Sequence, residues 1–348
     1  MQFSSLALLA AGALGVTATG NRGTHGHPGN SWVQDFDNLV TFGDSYTDEN
    51  RLLYWLSHNG TYPPPGLLLP PSNATAGGGV TWARFVSDNT GAELFNYAVS
   101  GAFGPFPDVV YETESFIADV KYINKTTHTN TLYKNRRADN TVYSMWIGTN
   151  DLGVAAFLTD SNLHDTTITD YVDCIFDRYD QIYKEGGRYF VLMNTVPLEL
   201  TPLYGMPDAG GLTTSHYWPD KWSNITETSE KIREYTHLVN NLFSYRTPYE
   251  LHIAQRYPGA SFAIFDVHSL ISDIYHNPAP YLVSPANVTG QYYKCDAATG
   301  TVCTAQSDVG ADHFLWYDEL HPSQQTDKSI AKEFAKVVAG SSEYATYW

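Results

Sequence analysis

The chain has 348 residues and a formal charge of −17, which results from 20 Lys and Arg against 37 Asp and Glu. This acidic balance argues against nucleic acid as a partner, because a phosphate backbone requires clustered Lys and Arg. The length suffices for one large hydrophobic core. Because the composition does not change along the chain and no internal repeat occurs, we predict a single domain at residues 37–348.

The first residues have the features of a secretory signal. An apolar run from Leu6 to Val16 is too short to span a bilayer, and small residues that fit a cleavage site follow it. We therefore predict a signal peptide at residues 1–18 and a secreted, extracellular protein. Residues 19–36 contain many Gly, Asn and His and are predicted to form a linker or short pro-segment. No later stretch of the sequence is apolar for long enough to cross a membrane.

Sequons and cysteines agree with export. The N-x-Ser/Thr sequons, which are the expected glycosylation sites, start at Asn59, Asn73, Asn124, Asn224 and Asn287. Of the 3 cysteines, Cys295 and Cys303 bracket a short polar loop, and we predict a disulfide between them. Cys174 lies in a helical pattern and is expected to be a buried free thiol.

Short apolar segments alternate with longer helical patterns, as in a parallel sheet covered by helices on both faces. The segments predicted to be strands are residues 39–42, 94–99, 142–147, 189–193 and 262–265. The segments predicted to be helices are residues 48–57, 82–86, 165–185, 232–242 and 330–338. Between the first two helices, Pro and Gly predict a long loop at residues 62–79.

The first predicted strand runs directly into Gly43-Asp44-Ser45. This position places a serine at the carboxyl end of a strand, the edge at which open α/β sheets bind their ligands. The following helix N-terminus offers unpaired N–H groups to an oxyanion formed beside Ser45, and Gly43 permits a tight turn. Gly-Asp-Ser alone is a weak motif, because a serine here can also cap the helix.

A second motif lies near the other end of the chain, where Asp-Glu-Leu-His spans Asp318 to His321. Serine becomes a nucleophile when a neighbouring base removes its proton, and histidine suits that role near neutral pH. The histidine needs a partner that holds its tautomer, and Asp318 can reach it within one loop. His313 beside Asp312 is the competing pair, but it lacks this spacing. We therefore expect His321 to act on Ser45.

Two further strand ends carry hydrogen-bond donors. Gly101 follows the second predicted strand and Asn150 follows the third, so both are expected at the same edge as Ser45. The backbone N–H of Gly101 and the side-chain amide of Asn150 are suitable donors to a developing oxyanion. Turn formation explains each residue singly, but their order at successive strand ends favours a catalytic role.

The chain resembles the SGNH (GDSL) hydrolases in their four conserved blocks, here Gly43-Asp44-Ser45, Gly101, Gly148-Thr149-Asn150-Asp151 and Asp318-Glu319-Leu320-His321. The resemblance extends over nearly all of residues 37–348. It implies an α/β fold, a three-layer α/β/α sandwich with a flavodoxin-like five-stranded parallel sheet. The absence of a Gly-x-Ser-x-Gly elbow argues against the α/β-hydrolase fold.

The same resemblance assigns roles. It implies Ser45 as nucleophile, His321 as base and Asp318 as the residue that orients the base. The oxyanion hole would consist of the N–H groups of Ser45 and Gly101 and the side chain of Asn150. Tyr46 departs from the family pattern, which has Leu after the serine.

Within the superfamily, the segment from Phe42 to Asp48, the chain length and the signal-like start resemble the fungal acetylesterases of carbohydrate esterase family 16. This resemblance implies a secreted serine esterase that removes acetyl groups from carbohydrates, such as acetylated oligosaccharides from xylan, through an acyl-enzyme. No cofactor is expected. No metal is expected either, since no His-Glu-x-x-His or comparable ligand spacing occurs, and His25 and His27 fall in the predicted linker.

Two other functions remain open. A GDSL lipase or general carboxylesterase would use the same triad, and the apolar segment 67–69 in the Pro-rich loop favours it, although packing on the core is the simpler explanation of that segment. A catalytically inactive carbohydrate-binding protein of the same fold is the alternative from another class. The four intact blocks argue against this last function.

Overall fold

The computed structural model describes Trp32 and residues 36–104, 108–162 and 165–348. The predicted signal peptide and all but the end of the predicted linker lie outside the described residues. Trp32 and Phe36, at that end, are buried. The Trp32 ring contacts Tyr189 and Tyr347, with ring centroids 6.0 and 5.6 Å away. These two residues therefore pack against the core, which the predicted linker boundary did not anticipate.

The described strands alternate with helices for most of the chain. The strands are β1 (Asn38–Gly43), β2 (Glu93–Asn96), β3 (Thr141–Trp146), β4 (Tyr189–Met193), β5 (Ser261–Phe265), β6 (Asn287–Gln291), β7 (Tyr293–Cys295), β8 (Cys303–Ala305), β9 (Phe314–Trp316) and β10 (Ala345–Tyr347). The helices are α1 (Arg51–Ser57), α2 (Trp82–Thr90), α3 (Asp108–Lys121), α4 (Thr149–Leu152), α5 (Ile168–Lys184), α6 (Ile225–Pro248), α7 (Val267–His276) and α8 (Gln324–Val338).

The central sheet has the order β10-β5-β4-β3-β1-β2 in the described part of the chain. Strands β1 to β5 are parallel, so the predicted flavodoxin-like five-stranded arrangement is confirmed. The short edge strand β10 pairs antiparallel with β5 and was not predicted. Its three residues are too few to show an alternating pattern, and only the preceding helix α8 brings them to the sheet edge.

Strands β1 and β3 lie in the middle of the sheet and are buried along their whole length. Both faces of such strands are covered, which explains their apolar sequences. The register pairs Leu39 with Val142 and Gly43 with Trp146, so the two strands end at the same level. Their carboxyl ends therefore place the following loops side by side.

Helices α3, α4 and α7 were not predicted, and helix α1 begins later than predicted. Helix α1 begins at Arg51 rather than Asp48, because the Asp48 side chain accepts hydrogen bonds from the N–H groups of Asn50 and Arg51 at 2.9 and 2.8 Å. Asp48 thus caps the helix from outside. Helix α3 was not predicted, since its buried face includes the polar Glu112 and Thr113, which interrupt the apolar periodicity.

The cysteines lie as expected. Cys295 and Cys303 form a disulfide across the antiparallel pair β7 and β8. Cys174 is a free, partly buried thiol whose Sγ donates to the carbonyl oxygen of Gly104 at 2.8 Å. Burial raises the pKa of Cys174 to about 11, so the thiol stays protonated and unreactive.

Among the described residues, no helix combines the length and the apolar character that crossing a bilayer requires.

Candidate active site

The residues singled out in the sequence meet at the carboxyl edge of the sheet. Ser45 follows β1, Gly101 follows β2, Asn150 lies in α4 directly after β3, and His321 lies between β9 and α8. All four line one cavity of about 420 Å³. Segments that are far apart in sequence are thus brought to one place, as expected for an open α/β sheet.

Ser45, His321 and Asp318 form a continuous hydrogen-bonded line. His321 Nε2 lies 2.7 Å from Ser45 Oγ. On its other side, His321 Nδ1 lies 2.8 Å from Asp318 Oδ2 and 3.0 Å from Oδ1. Since an ionised carboxylate only accepts, Nδ1 carries the proton and Nε2 is left as the acceptor facing the serine hydroxyl. This arrangement can remove the proton from the serine.

The turn that carries Asp318 and His321 is held by its own backbone. Asp318 Oδ1 accepts hydrogen bonds from the N–H groups of Leu320 and His321 at 2.8 and 2.7 Å. The N–H of Tyr317 donates to the His321 carbonyl at 2.8 Å. The spacing of three residues between acid and base therefore follows from a closed local turn.

Burial and charge oppose each other at both residues. Burial alone raises the pKa of Asp318, but the charge of His321 and the hydrogen bonds from His321 and Leu320 hold it below its usual value. Burial alone lowers the pKa of His321, but Asp318, with smaller contributions from Asp44 and Glu319, raises it above its usual value. The pair is therefore biased toward an ionised aspartate beside a basic imidazole.

The turn before Ser45 depends on glycine. Gly43 has φ +147°, and a Cβ there would lie 2.1 Å from the carbonyl oxygen of Trp146 on β3. The Gly43 N–H donates to the buried carboxyl of Glu112 at 2.8 Å, which anchors the end of β1 on α3. Only a residue without a side chain permits this close approach of the two strands.

Tyr46 connects the serine turn to the histidine loop. Its hydroxyl donates to the Leu320 carbonyl at 2.9 Å, and its ring makes an edge contact with the His321 ring at 5.5 Å. Its N–H donates to Asp44 Oδ1 at 3.0 Å. Burial raises the pKa of Asp44 to about 6, against the hydrogen bond from Tyr46 and the charge of His321. The departure of Tyr46 from the family pattern thus has a structural role.

Asn150 and the segment from Ser100 to Ala102 are held together. Asn150 Nδ2 donates to the Ala102 carbonyl at 2.8 Å, which occupies one of its two amide hydrogens. Asp48 Oδ2 accepts from both the N–H and the hydroxyl of Ser100 at 2.8 Å. Gly101 has φ +86°, a left-handed conformation that favours glycine.

Two residues that support the site were not predicted. Tyr217 lines the cavity and donates from its hydroxyl to Asp318 Oδ2 at 3.1 Å. Asp48 ties α1 to the Ser100 segment. No motif surrounds Tyr217, whereas Asp48 stands three positions after Ser45 and could have been recognised as a helix cap.

The other candidates lie elsewhere. His313 is not among the residues that line the cavity; its Nδ1 lies 3.1 Å from the Pro285 carbonyl oxygen, and its Nε2 lies 4.0 Å from Asp312. The described residues include one cluster with metal-ligand chemistry, Glu199, His237 and His268, and none of its members lines the cavity.

The chain matches one known family and known relatives over most of its length. The family GDSL-like Lipase/Acylhydrolase matches residues 39–334. An acetylesterase of Hypocrea jecorina is 43% identical over 324 residues, which cover 90% of this chain and 92% of the relative. An acetylesterase of Thermothelomyces thermophilus is 25% identical, covering 94% and 97% of the two chains.

Among solved structures, a catalytic mutant of an acetylxylan esterase from Geobacillus stearothermophilus has a TM-score of 0.41 and 13% identity, covering 88% of this chain and 95% of that chain. The family match extends over more than half of this chain, and the Hypocrea relative covers nine-tenths of it. The chain therefore belongs to the GDSL (SGNH) family of lipases and acylhydrolases and is a carboxylic ester hydrolase.

Proposed function

We propose that this protein is a secreted serine esterase that removes acetyl groups from carbohydrates through an acyl-enzyme. The observation that carries the mechanism is the line from Ser45 Oγ through His321 to Asp318, with contacts of 2.7 and 2.8 Å, at the wall of a cavity. Ester substrates of small size fit a cavity of about 420 Å³, since small-molecule sites occupy roughly 300–1,000 Å³.

The reaction proceeds in two transfers. Ser45 Oγ attacks the ester carbonyl carbon while His321 Nε2 takes the serine proton. The tetrahedral intermediate collapses, His321 returns the proton to the leaving alcohol, and an acetyl-enzyme remains. Water then attacks the acyl carbon with His321 as base, and acetate leaves as Ser45 regains its proton. Asp318 stays ionised and stabilises the imidazolium formed in each step.

The developing oxyanion is stabilised by the N–H groups of Ser45 and Gly101 and by the amide of Asn150. Asn150 keeps one amide hydrogen for this role, because the other donates to the Ala102 carbonyl. Donors that are held in place before the reaction stabilise the transition state without a cost of reorganisation.

Acetyl selectivity rests on two observations. Several of the side chains that line the cavity with Ser45 are apolar, namely Leu52, Val154, Ala155, Leu203 and Leu320. The Hypocrea relative of 43% identity is named an acetylesterase. These apolar side chains can accommodate the acetyl methyl group of the acyl-enzyme.

The test compares acetate release from acetylated xylo-oligosaccharides by the wild type, Ser45→Ala and Ser341→Ala. Removal of Ser45 is expected to lower kcat by about 10⁵–10⁶-fold, because triad members act as a unit. Ser341 is exposed and serves as the matched control with unchanged activity. Acetate release by Ser45→Ala at the wild-type rate would refute the mechanism, and no release by the wild type would refute the substrate.

A lipase is the second candidate, and one surface feature favours it. Leu67 and Leu68 of the Pro-rich loop are exposed rather than packed on the core, as are Leu53 and Leu56 of α1. Each methylene that enters an apolar channel contributes about 0.8 kcal/mol. A lipase is therefore expected to hydrolyse p-nitrophenyl esters faster as the acyl chain grows from acetyl to octanoyl, and an acetylesterase to show the opposite order.

Secretion and glycosylation are also part of the proposal. The side chains of Asn59, Asn73 and Asn224 are exposed, and those of Asn124 and Asn287 are half-buried. The disulfide suits an oxidising compartment. When the full chain is expressed in a yeast, the protein is expected in the culture medium. Its N-terminus is expected near residue 19, and its mass is expected to fall on enzymatic deglycosylation. Retention inside the cell would contradict the proposal.

A further inference from the structure

Outside the active site, two imidazoles and a carboxylate converge from three segments. Glu199 lies in a short turn of helix after β4, His237 on α6, and His268 in the first turn of α7. One ligand atom of each lies within 4.8 Å of the others. Glu199 Oε1 and His268 Nε2 are 4.0 Å apart, and the centroids of the two imidazole rings are 5.2 Å apart.

Two of these side chains carry buried polar atoms without a hydrogen-bond partner. Among the described residues, Glu199 Oε2 and His268 Nε2 are both buried and make no hydrogen bond. A buried polar atom left unpaired costs roughly 1–3 kcal/mol, and native structures contain few of them. These two atoms belong to one cluster, where a bound cation would pair with both.

We propose that Glu199, His237 and His268 bind a divalent transition-metal ion with the ligand preference of Zn²⁺. Two imidazole nitrogens and one carboxylate oxygen are a donor set that Zn²⁺ takes readily, with a fourth position left for water. Ca²⁺ and Mg²⁺ prefer an all-oxygen set and are disfavoured by the imidazoles. His237 is exposed, so its side chain can close the remaining distance to the other two ligands.

Neighbouring groups hold the cluster in place. Asn194 Oδ1 accepts from the backbone N–H of His268 at 3.0 Å, and Asn194 Nδ2 donates to Asp266 Oδ1 at 2.8 Å. These contacts hold the first turn of α7, which carries His268. The positive charge of Arg233 also favours the ionised form of Glu199. Arg233 therefore competes with a metal ion for this carboxylate, but it cannot accept the imidazole nitrogens as ligands.

The ion would act as a clamp between elements rather than as part of the hydrolysis. It would join α6 and α7 to the segment after β4. That segment continues to Leu203 and Tyr204, which line the active-site cavity, whereas the three ligands do not. We therefore expect the metal to raise thermal stability and to leave the chemical step to the serine.

The experiment uses the full chain, freed of metal by a chelator and dialysed into a buffer that does not bind metals. Titration calorimetry with ZnCl₂ is expected to show one ion per chain, and Zn²⁺ is expected to raise Tm, because a ligand that binds only the folded state stabilises it. Co²⁺ in place of Zn²⁺ is expected to show the visible absorption of a four-coordinate ion.

The decisive variant is His237→Ala, since this residue is exposed and its loss leaves the core intact. Affinity for Zn²⁺ is expected to fall at least tenfold, and the rise in Tm is expected to disappear. The control is His25→Ala with His27→Ala, which removes the other closely spaced histidine pair and is expected to change neither result. A wild type that binds neither ion, a His237→Ala protein that binds like the wild type, or loss of binding in the control would each overturn the proposal.

Discussion

Tyr217 donates a hydrogen bond to Oδ2 of Asp318 at 3.1 Å, although the two residues are 101 positions apart. The Tyr217 ring also makes an edge contact with the His321 ring, with centroids 5.7 Å apart. Burial and the charge of Asp318 raise the pKa of Tyr217 far above its usual value, so its hydroxyl remains a donor at any working pH. Tyr217 therefore positions the acid that in turn positions the base.

Replacement of Tyr217 by Phe keeps the ring and removes this donor. We expect kcat/KM to fall roughly 10- to 150-fold, since a hydrogen bond to a charged group is worth about 1.5–3 kcal/mol. We also expect the acidic limb of the pH–rate profile to move to higher pH, because a carboxylate with one donor fewer attracts the imidazolium proton more strongly. Tyr245→Phe, at a highly exposed tyrosine, is the control. An unchanged rate and an unchanged profile would exclude the positioning role.

The pH dependence of activity follows from His321. The proposed mechanism needs the neutral imidazole, and the pKa of His321 lies above the ordinary value of 6.5 because Asp318 more than offsets the effect of burial. Activity is therefore expected to rise with pH, with the midpoint of kcat/KM above 6.5. Initial rates with p-nitrophenyl acetate test this between pH 4 and about 9, a range that extends about two units to either side of the expected midpoint.

Asp318→Asn tests the origin of that midpoint. Without the carboxylate, burial lowers the pKa of His321 against only the smaller contributions of Asp44 and Glu319, so the midpoint is expected to move to lower pH. The rate is expected to fall roughly 10³–10⁴-fold, because the imidazole loses the partner that sets its tautomer. A midpoint that stays in place would show that Asp318 does not control the protonation of His321.

Asn150 is expected to affect the chemical step more than binding. Loss of one oxyanion donor costs about 10²–10³ in kcat, so Asn150→Ala is expected to show this decrease with KM changed little. Because Asn150 also holds the Ala102 carbonyl, the thermal stability of the variant is measured in parallel. An increase in KM with kcat unchanged would mean that the amide binds substrate instead of the oxyanion.

Gly43 is expected to tolerate no side chain. In Gly43→Ala the new Cβ would meet the Trp146 carbonyl oxygen at 2.1 Å, with φ in a region that L residues avoid. We expect a loss of roughly 3–5 kcal/mol in the free energy of unfolding. Gly91 has φ +78°, but no atom lies within 4 Å of the Cβ that Gly91→Ala would add. This variant therefore measures only the cost of the backbone conformation, about 1–2 kcal/mol. Equal urea midpoints for both variants would contradict the steric argument.

The sequence by itself determined the parallel strands and the two ends of the catalytic line. Strand β3 is an apolar run because both of its faces are buried, and such runs are visible without a structure. The turn from Asp318 to His321 closes on its own backbone, so its spacing can be read from four residues. Ser45 follows a strand and precedes a helix. This local order is enough to predict that it lies at the carboxyl edge of the sheet.

The tertiary structure alone decided which distant residues support that line. Tyr217 reaches Asp318 from a loop that shows no motif, and Glu112 meets Gly43 from a helix whose apolar pattern is interrupted. Strand β10 follows α8 and pairs with β5, which precedes it by about 80 residues in the chain. The physical reason is that periodicity records which side of an element is buried, whereas the course of a loop depends on the packing of the whole chain.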